Sequence, residues 1–204
     1  MREDFSINDL RTVALDYLQM HLPKVYTYHN AEHSRDVCAA LDEFIKIAPV
    51  ADENILPLQI AGIFHDFGYI EKPYDNESLA LPYIKKFAVQ FGLAESTVNQ
   101  AHELIMETVF PYHPHSVEGE LLCDADIEYI GRADFIEKAL RFRQELAGCG
   151  QTFSDREWWS MELQFLQDNT FFTPAVRSLR EDGRQRNLQL VQQRLLYLAS
   201  GKNY

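Results

Sequence analysis

The sequence is short of cysteine, of cations and of long apolar runs, and each shortage narrows what the protein does. Cys38, Cys123 and Cys149 are an odd set with no C-x-x-C spacing, so no complete disulfide framework can form, which fits a reducing, cytoplasmic setting. No stretch approaches the ~20 apolar residues that span a bilayer. The start, Met1-Arg2-Glu3-Asp4-Phe5, is charged and is not followed by an apolar core, so a soluble, unprocessed chain is expected. Lys and Arg number 19 against 31 Asp and Glu, a net charge of −12. Such a surface repels polyanions, which argues against extended nucleic acid or an anionic membrane as partner. A small anionic substrate remains compatible, because a bound cation and a few local basic side chains reverse the potential inside a cleft. Period-two alternation long enough for a strand, internal repeats and low-complexity tracts are missing as well.

What is present is helical. The chain has 204 residues, 46% of them apolar, enough for a single domain spanning 1–204 with a sizeable core. Apolar residues recur at helical spacing throughout, which predicts an all-α fold of about nine helices. Leu10, Val13, Ala14, Tyr17 and Leu18 mark the first helix. A second is expected from near His29 to Ala48, with His33 on its apolar stripe beside Val37, Ala40, Leu41 and Phe44. A third carries Leu56, Ile60, Ile63, Phe64 and Phe67 and stops at Gly68, which places His65 and Asp66 in its last turn. The polar, proline-containing stretch Glu71 to Glu77 reads as a loop at the mouth of any site there. Gly92 ends a fourth helix. A fifth starts at Glu95 and Ser96 and runs through Val98, Ala101, Ile105 and Val109, and Pro111 to Ser116 interrupts the pattern. A sixth runs from Glu118 through Ile130 to a cap at Gly131. Phe135 to Leu146, a Ser154-x-x-Glu157 capping box and Thr173-Pro174 as N-cap and first helical residue signal three more. In this last third Trp158, Phe165, Leu188, Val191 and Leu195 are core candidates and little chemistry is visible.

The chemistry gathers in three short motifs. His29 and His33, four apart, share one helix face and point at one cavity. His65 and Asp66 are consecutive and diverge by about 100° on a regular helix, yet converge on one ion where the last turn frays. Imidazoles mixed with carboxylates suit Mn, Fe, Co, Ni or Mg better than a thiolate-selected metal. Such an ion polarises a phosphoryl oxygen and acidifies a bound water, so hydrolysis needs no protein nucleophile. A further carboxylate is required, and Asp124 and Asp126 offer two in an otherwise apolar helix, where unpaired acids are costly.

Tyr28-His29-Asn30-x-x-His33, Phe64-His65-Asp66-x-Gly68-Tyr69 and Asp124-Ala125-Asp126 before Gly131 together resemble the HD superfamily of metal-dependent phosphohydrolases, in particular its small stand-alone bacterial members. Asn76-Glu77-Ser78 is similar to their N-E-x-x-S segment, with Ser one place early, and Arg143-Gln144-Glu145 to their R-x-E. The resemblance covers about Tyr26 to the final helix. It implies a helical bundle with a motif core at about 26–131 and C-terminal helices, 132–200, packed on it. It further implies one divalent metal ion held by His33, His65, Asp66 and Asp126. Asp126 is chosen over Asp124 because the superfamily's closing ligand is the Asp of an Ala-Asp step; Asp124 then lies behind the ligands or orients substrate or water. In relatives of the Y-H-N-x-x-H form, such as cyclic-nucleotide phosphodiesterases, the first histidine is read as proton donor to the leaving oxygen. That gives His29 a catalytic role, alongside Asp66 as orienter of the attacking water. Glu77 and Arg143 become substrate contacts. The chain departs from its relatives after Thr108, where Val109-Phe110-Pro111-Tyr112 intervene before His113; His102, His113 or His115 are candidates for a second ion. The expected function is metal-dependent hydrolysis of a small phosphoester, a nucleotide among the candidates. A di-iron oxygenase and a non-catalytic nucleotide-binding module are the competing expectations.

Overall fold

The computed structural model describes residues 6–200. The charged start, Met1 to Phe5, on which the expectation of an unprocessed chain was based, lies outside them. Among the described residues there are nine α-helices, three short 3₁₀ turns and no strand, so the all-α expectation holds. No described helix is long and apolar enough to cross a membrane. The chain divides into two compact units, one formed by the residues up to Lys24 and His29–Asp126, the other by Val25–Tyr28 and Ile127–Tyr204.

The first unit contains α1 (Ile7–His21), α2 (Ala31–Phe44), α3 (Asp52–Phe64), α4 (Ala80–Phe91), α5 (Glu95–Met106) and α6 (Val117–Asp126). Helix α3 is its axis and packs against the other five. Leu58, Ile60, Ala61, Gly62, Ile63 and Phe64 are all buried, so this helix is apolar all round rather than along one stripe. Each large side chain hidden this way contributes on the order of 2 kcal/mol, and the surrounding helices supply the cover. Arg11 on α1 grips Asp42 on α2 with both guanidinium nitrogens, at 2.7 and 2.9 Å, which fixes the edge of the bundle.

Several boundaries differ from the sequence expectation, and two of them bear on the site. Helix α2 begins at Ala31, not near His29, because the Asn30 side chain caps it, accepting from the backbone N–H groups of Glu32 at 2.8 Å and His33 at 3.3 Å. His29 therefore precedes the helix. Helix α3 ends at Phe64 rather than running to Gly68; His65 is its C-cap and Asp66 turns to φ −99°, ψ 7°, leading into a 3₁₀ turn over Phe67–Ile70. Gly68 is not a helix stop. A side chain there would meet the backbone of Asn76 head on, with a Cβ only 1.9 Å from the Asn76 carbonyl oxygen. Gly92 does terminate α4, in the left-handed conformation at φ 71°. Helix α5 stops at Met106, leaving Val109 exposed beyond it, and α6 stops at Asp126, with a separate 3₁₀ turn at Glu128–Gly131.

The second unit contains α7 (Phe135–Gly148), α8 (Asp155–Asp168) and the long α9 (Pro174–Ala199), with α8 lying against α9. The capping box on α8 is present in full: Ser154 Oγ accepts from the Glu157 N–H, and the Glu157 carboxylate accepts from the Ser154 N–H. Thr173 caps α9 with Pro174 as its first residue. Trp158 is fully buried against Phe142 and Phe153. Val191 is buried too, while Phe165, Leu188 and Leu195 are half-buried. One turn beyond Trp158, Glu162 is 5% exposed, and its Oε2 has no hydrogen-bond partner.

Candidate metal centre

The buried apolar interior of the first unit is interrupted by a compact polar cluster. His33 comes from the first turn of α2, its backbone N–H bound to the Asn30 cap, and so its imidazole is directed inward with Val37, Leu41 and Phe44. His65 and Asp66 come from the end of α3. Once Asp66 leaves helical dihedrals, its carboxylate folds back beside the preceding imidazole, and Asp66 Oδ2 lies 3.3 Å from His65 Nε2 and 3.5 Å from His33 Nε2. The two Nε2 atoms are 3.3 Å apart. His33, His65 and Asp66 are buried, with one potential ligand atom from each within 4.8 Å of the others, a group able to hold a metal ion.

Asp126, the last residue of α6, completes the cluster. Its Oδ1 is 3.0 Å from His33 Nε2 and 3.7 Å from His65 Nε2. Its side chain is 18% exposed, the most of the four. Asp124, two residues earlier on a different face of α6, is fully buried.

The electrostatics favour positive charge at this point. Burial opposes protonation of His65, but the carboxylates of Asp66 and Asp126 and the bond from Nδ1 to the Gly62 carbonyl, 3.0 Å away, outweigh it and raise its pKa to about 9. Burial likewise opposes ionisation of Asp66, yet the facing imidazoles of His65, His29 and His33 hold its carboxyl well below the usual range. Asp126 is lowered for the same reason, with His33 the strongest partner after the opposing effect of burial. Two features fit a metal specifically. Asp66 Oδ2 is buried and makes no aligned hydrogen bond, an orphan at the centre of the group. The Nδ1–H of His65 donates to Gly62, so that release of its other proton to an incoming cation would leave the Nε2 lone pair directed at the same point.

The remaining sequence candidates scatter around this cluster or away from it. His29 lies outside the ligand group; its ring is 6.0 Å from that of His33 and stacks on Tyr69 at 4.5 Å and 12°. The expectation that His29 and His33 stand on one helix face fails, because Asn30 starts the helix between them. Glu77, half-buried in the 3₁₀ turn Glu77–Leu79, has its pKa raised, first by burial and then by the charges of Asp66 and Asp126. Arg143 on α7 is held by Asp155 at 2.7 Å and by the Phe153 carbonyl. His102 on α5 has a buried Nε2 with no hydrogen-bond partner, and His113 and His115 are exposed. None of the three enters the described ligand group. Two aromatic neighbours were given no role by the sequence: Tyr69, the fifth residue of the H-D-x-G-Y motif, and Tyr112, whose hydroxyl donates to Asp126 Oδ2 at 3.1 Å. Tyr69 was signalled by its place in the motif, whereas nothing in the run Pro111-Tyr112-His113 sets Tyr112 apart.

No protein-family model matches the chain, and no curated protein does. The likeness lies with solved all-helical structures. The crystal structure of Bacillus subtilis YpgQ in complex with ADP superposes with a TM-score of 0.62 at 20% identity, covering 95% of this chain and 96% of that one. At that identity the two share a fold along almost their whole lengths.

Proposed function

We propose that this chain is a phosphohydrolase of the HD superfamily, dependent on a divalent metal ion and acting on a small phosphoester of the nucleotide class. The observation that carries this reading is the convergence of His33, His65 and Asp66 on one buried point with Asp66 Oδ2 left unsatisfied there. A divalent ion bound at that point supplies the positive charge that polarises a phosphoryl oxygen and acidifies a water.

The protein's own residues do the rest. His33 and His65 each offer Nε2, His65 with its tautomer set by Gly62. Asp66 and Asp126 supply the negative charge that balances the ion, and Asp66 also orients the attacking water. His29, outside the ligand group and braced by Tyr69, gives its proton to the leaving oxygen. Asp124, buried within α6, lies behind the ligands, and Glu77 borders the substrate side. The reading takes one ion, since the described residues form one such group. The nucleotide class is supported by the fold neighbour YpgQ having been crystallised with ADP. Mixed imidazole and carboxylate donors leave Mn, Fe, Co, Ni and Mg as the candidate ions.

The test is elemental analysis of the purified protein, then chelation, reloading with each of these ions, and an anaerobic panel of nucleoside mono-, di- and triphosphates. Metal-dependent release of phosphate or pyrophosphate is expected. Oxygen-dependent turnover with two irons overturns the reading in favour of an oxygenase, and nucleotide binding with no turnover under any ion overturns it in favour of a binding module.

A further inference from the structure

We infer that Tyr112 is a positioning residue for Asp126, restraining one carboxylate oxygen so that the other stays turned toward His33 and His65, the residues that would hold the ion; this rests on the metal reading above. Asp126 is the final residue of α6. A carboxylate at a helix C-terminus is disfavoured by the helix dipole, and α6 itself provides nothing that orients this one. The orientation comes instead from two directions. Oδ1 faces the Nε2 atoms of His33 and His65, at 3.0 and 3.7 Å, while Oδ2 accepts the Tyr112 hydroxyl at 3.1 Å. Deprived of that hydroxyl, the Asp126 carboxylate would be free to turn, and Oδ1 would no longer be held toward the two imidazoles.

Tyr112 can serve this way because its own place is over-determined. It sits in the connection between α5 and α6, and the edge of its ring meets Phe110 at 5.4 Å and 90°. That connection is closed on a single carboxylate. Glu107 accepts from the backbone N–H groups of His115 at 2.5 Å and Ser116 at 3.2 Å and from Ser116 Oγ at 2.8 Å. Ser116 Oγ in turn accepts from the Gly119 N–H in the first turn of α6. From the other side, Cys123 Sγ donates to the Glu107 carbonyl. Glu107 thus fastens the end of α5 to the start of α6, and the short span between presents Tyr112 to the end of that same helix. Orienting partners of this kind are worth about 10–100-fold in metal affinity.

The experiment uses the full chain, stripped with chelator, and compares wild type with Tyr112→Phe, which keeps the ring and removes the hydroxyl. Mn²⁺ titration followed by electron paramagnetic resonance is expected to show binding about tenfold or more weaker in the variant. The visible spectrum of the Co²⁺-loaded protein is expected to change, since Asp126 would no longer be held in one orientation toward the ion. The melting temperature of the metal-free protein is expected to stay the same. Equal or tighter Mn²⁺ binding by Tyr112→Phe overturns the inference. A superposable Co²⁺ spectrum also overturns it, because a loss of affinity through a loosened loop would leave the ligand set as it was. If wild type takes up no Mn²⁺, the metal reading fails and this inference fails with it, an outcome distinct from the other two.

Discussion

Two buried acids, one in each unit, show what burial by itself does and what a site adds. Glu162 on α8 is enclosed, its Oε2 has no partner, and burial alone pushes its pKa up to about 7. Asp66 is as deeply buried and also carries an unpartnered oxygen, yet its pKa is driven down because imidazoles face it from three positions. A buried carboxyl without neighbours approaches neutrality; one that stays charged does so because cationic groups have been gathered around it. The first arrangement is a cost to stability, and the second is a standing demand for positive charge.

Breaking the second arrangement should have the largest effect. Asp66→Asn and Asp126→Ala are each expected to reduce bound metal from about one ion per chain to near none, whereas Asp124→Ala retains it; elemental analysis after dialysis reads the difference. Equal loss in both α6 variants would remove the preference for Asp126. Next in size, His29→Ala is expected to keep the ion while lowering kcat by about 10²- to 10⁴-fold, the usual worth of a positioned proton donor. Loss of metal in that variant would make His29 a ligand instead.

Glu162 gives the third effect. Its folded pKa lies above the ordinary 4.5 of a glutamate, so its favourable contribution is complete below pH 4.5 and is lost as pH rises toward about 7. Above that, the ionised buried carboxyl costs on the order of 3 kcal/mol. Glu162→Gln is expected to be more stable than wild type in urea at pH 8 and about equal to it at pH 4.5, and identical pH dependence in the two proteins would count against this account. The smallest effect belongs to Asn30→Ala, which removes the cap of α2 and should cost about 1 kcal/mol in the same assay.

The helices were legible because their cause is local. Apolar spacing, the Ser154 box, Thr173-Pro174 and Gly92 all act within a turn or two of their own residues. The motifs that supply His33, His65, Asp66 and Asp126 were also visible, since residue type and order carried the signal. What escaped depends on contacts distant in sequence or on competition between two local readings. Asn30 looked like part of a histidine motif and acts as a cap, which moved His29 off the helix. Gly68 looked like a helix stop and is required by the backbone of Asn76. Tyr112 bonds to a residue fourteen positions on, and no periodicity announces such a bond.

The Gly68 approach has a consequence for which parts of the site can vary. Two turns of chain, Phe67–Ile70 and Glu77–Leu79, are pinned together backbone to backbone, leaving no room at the pin for any side chain. Between the pins lie Glu71 to Asp75, all on the surface except the half-buried Pro73. Residue 68 is thereby restricted to glycine, while the span it closes is free to change length and composition at little energetic cost. Asp66 and Glu77, on either side of that span, would keep their places through such changes, so variation there would leave the buried group undisturbed.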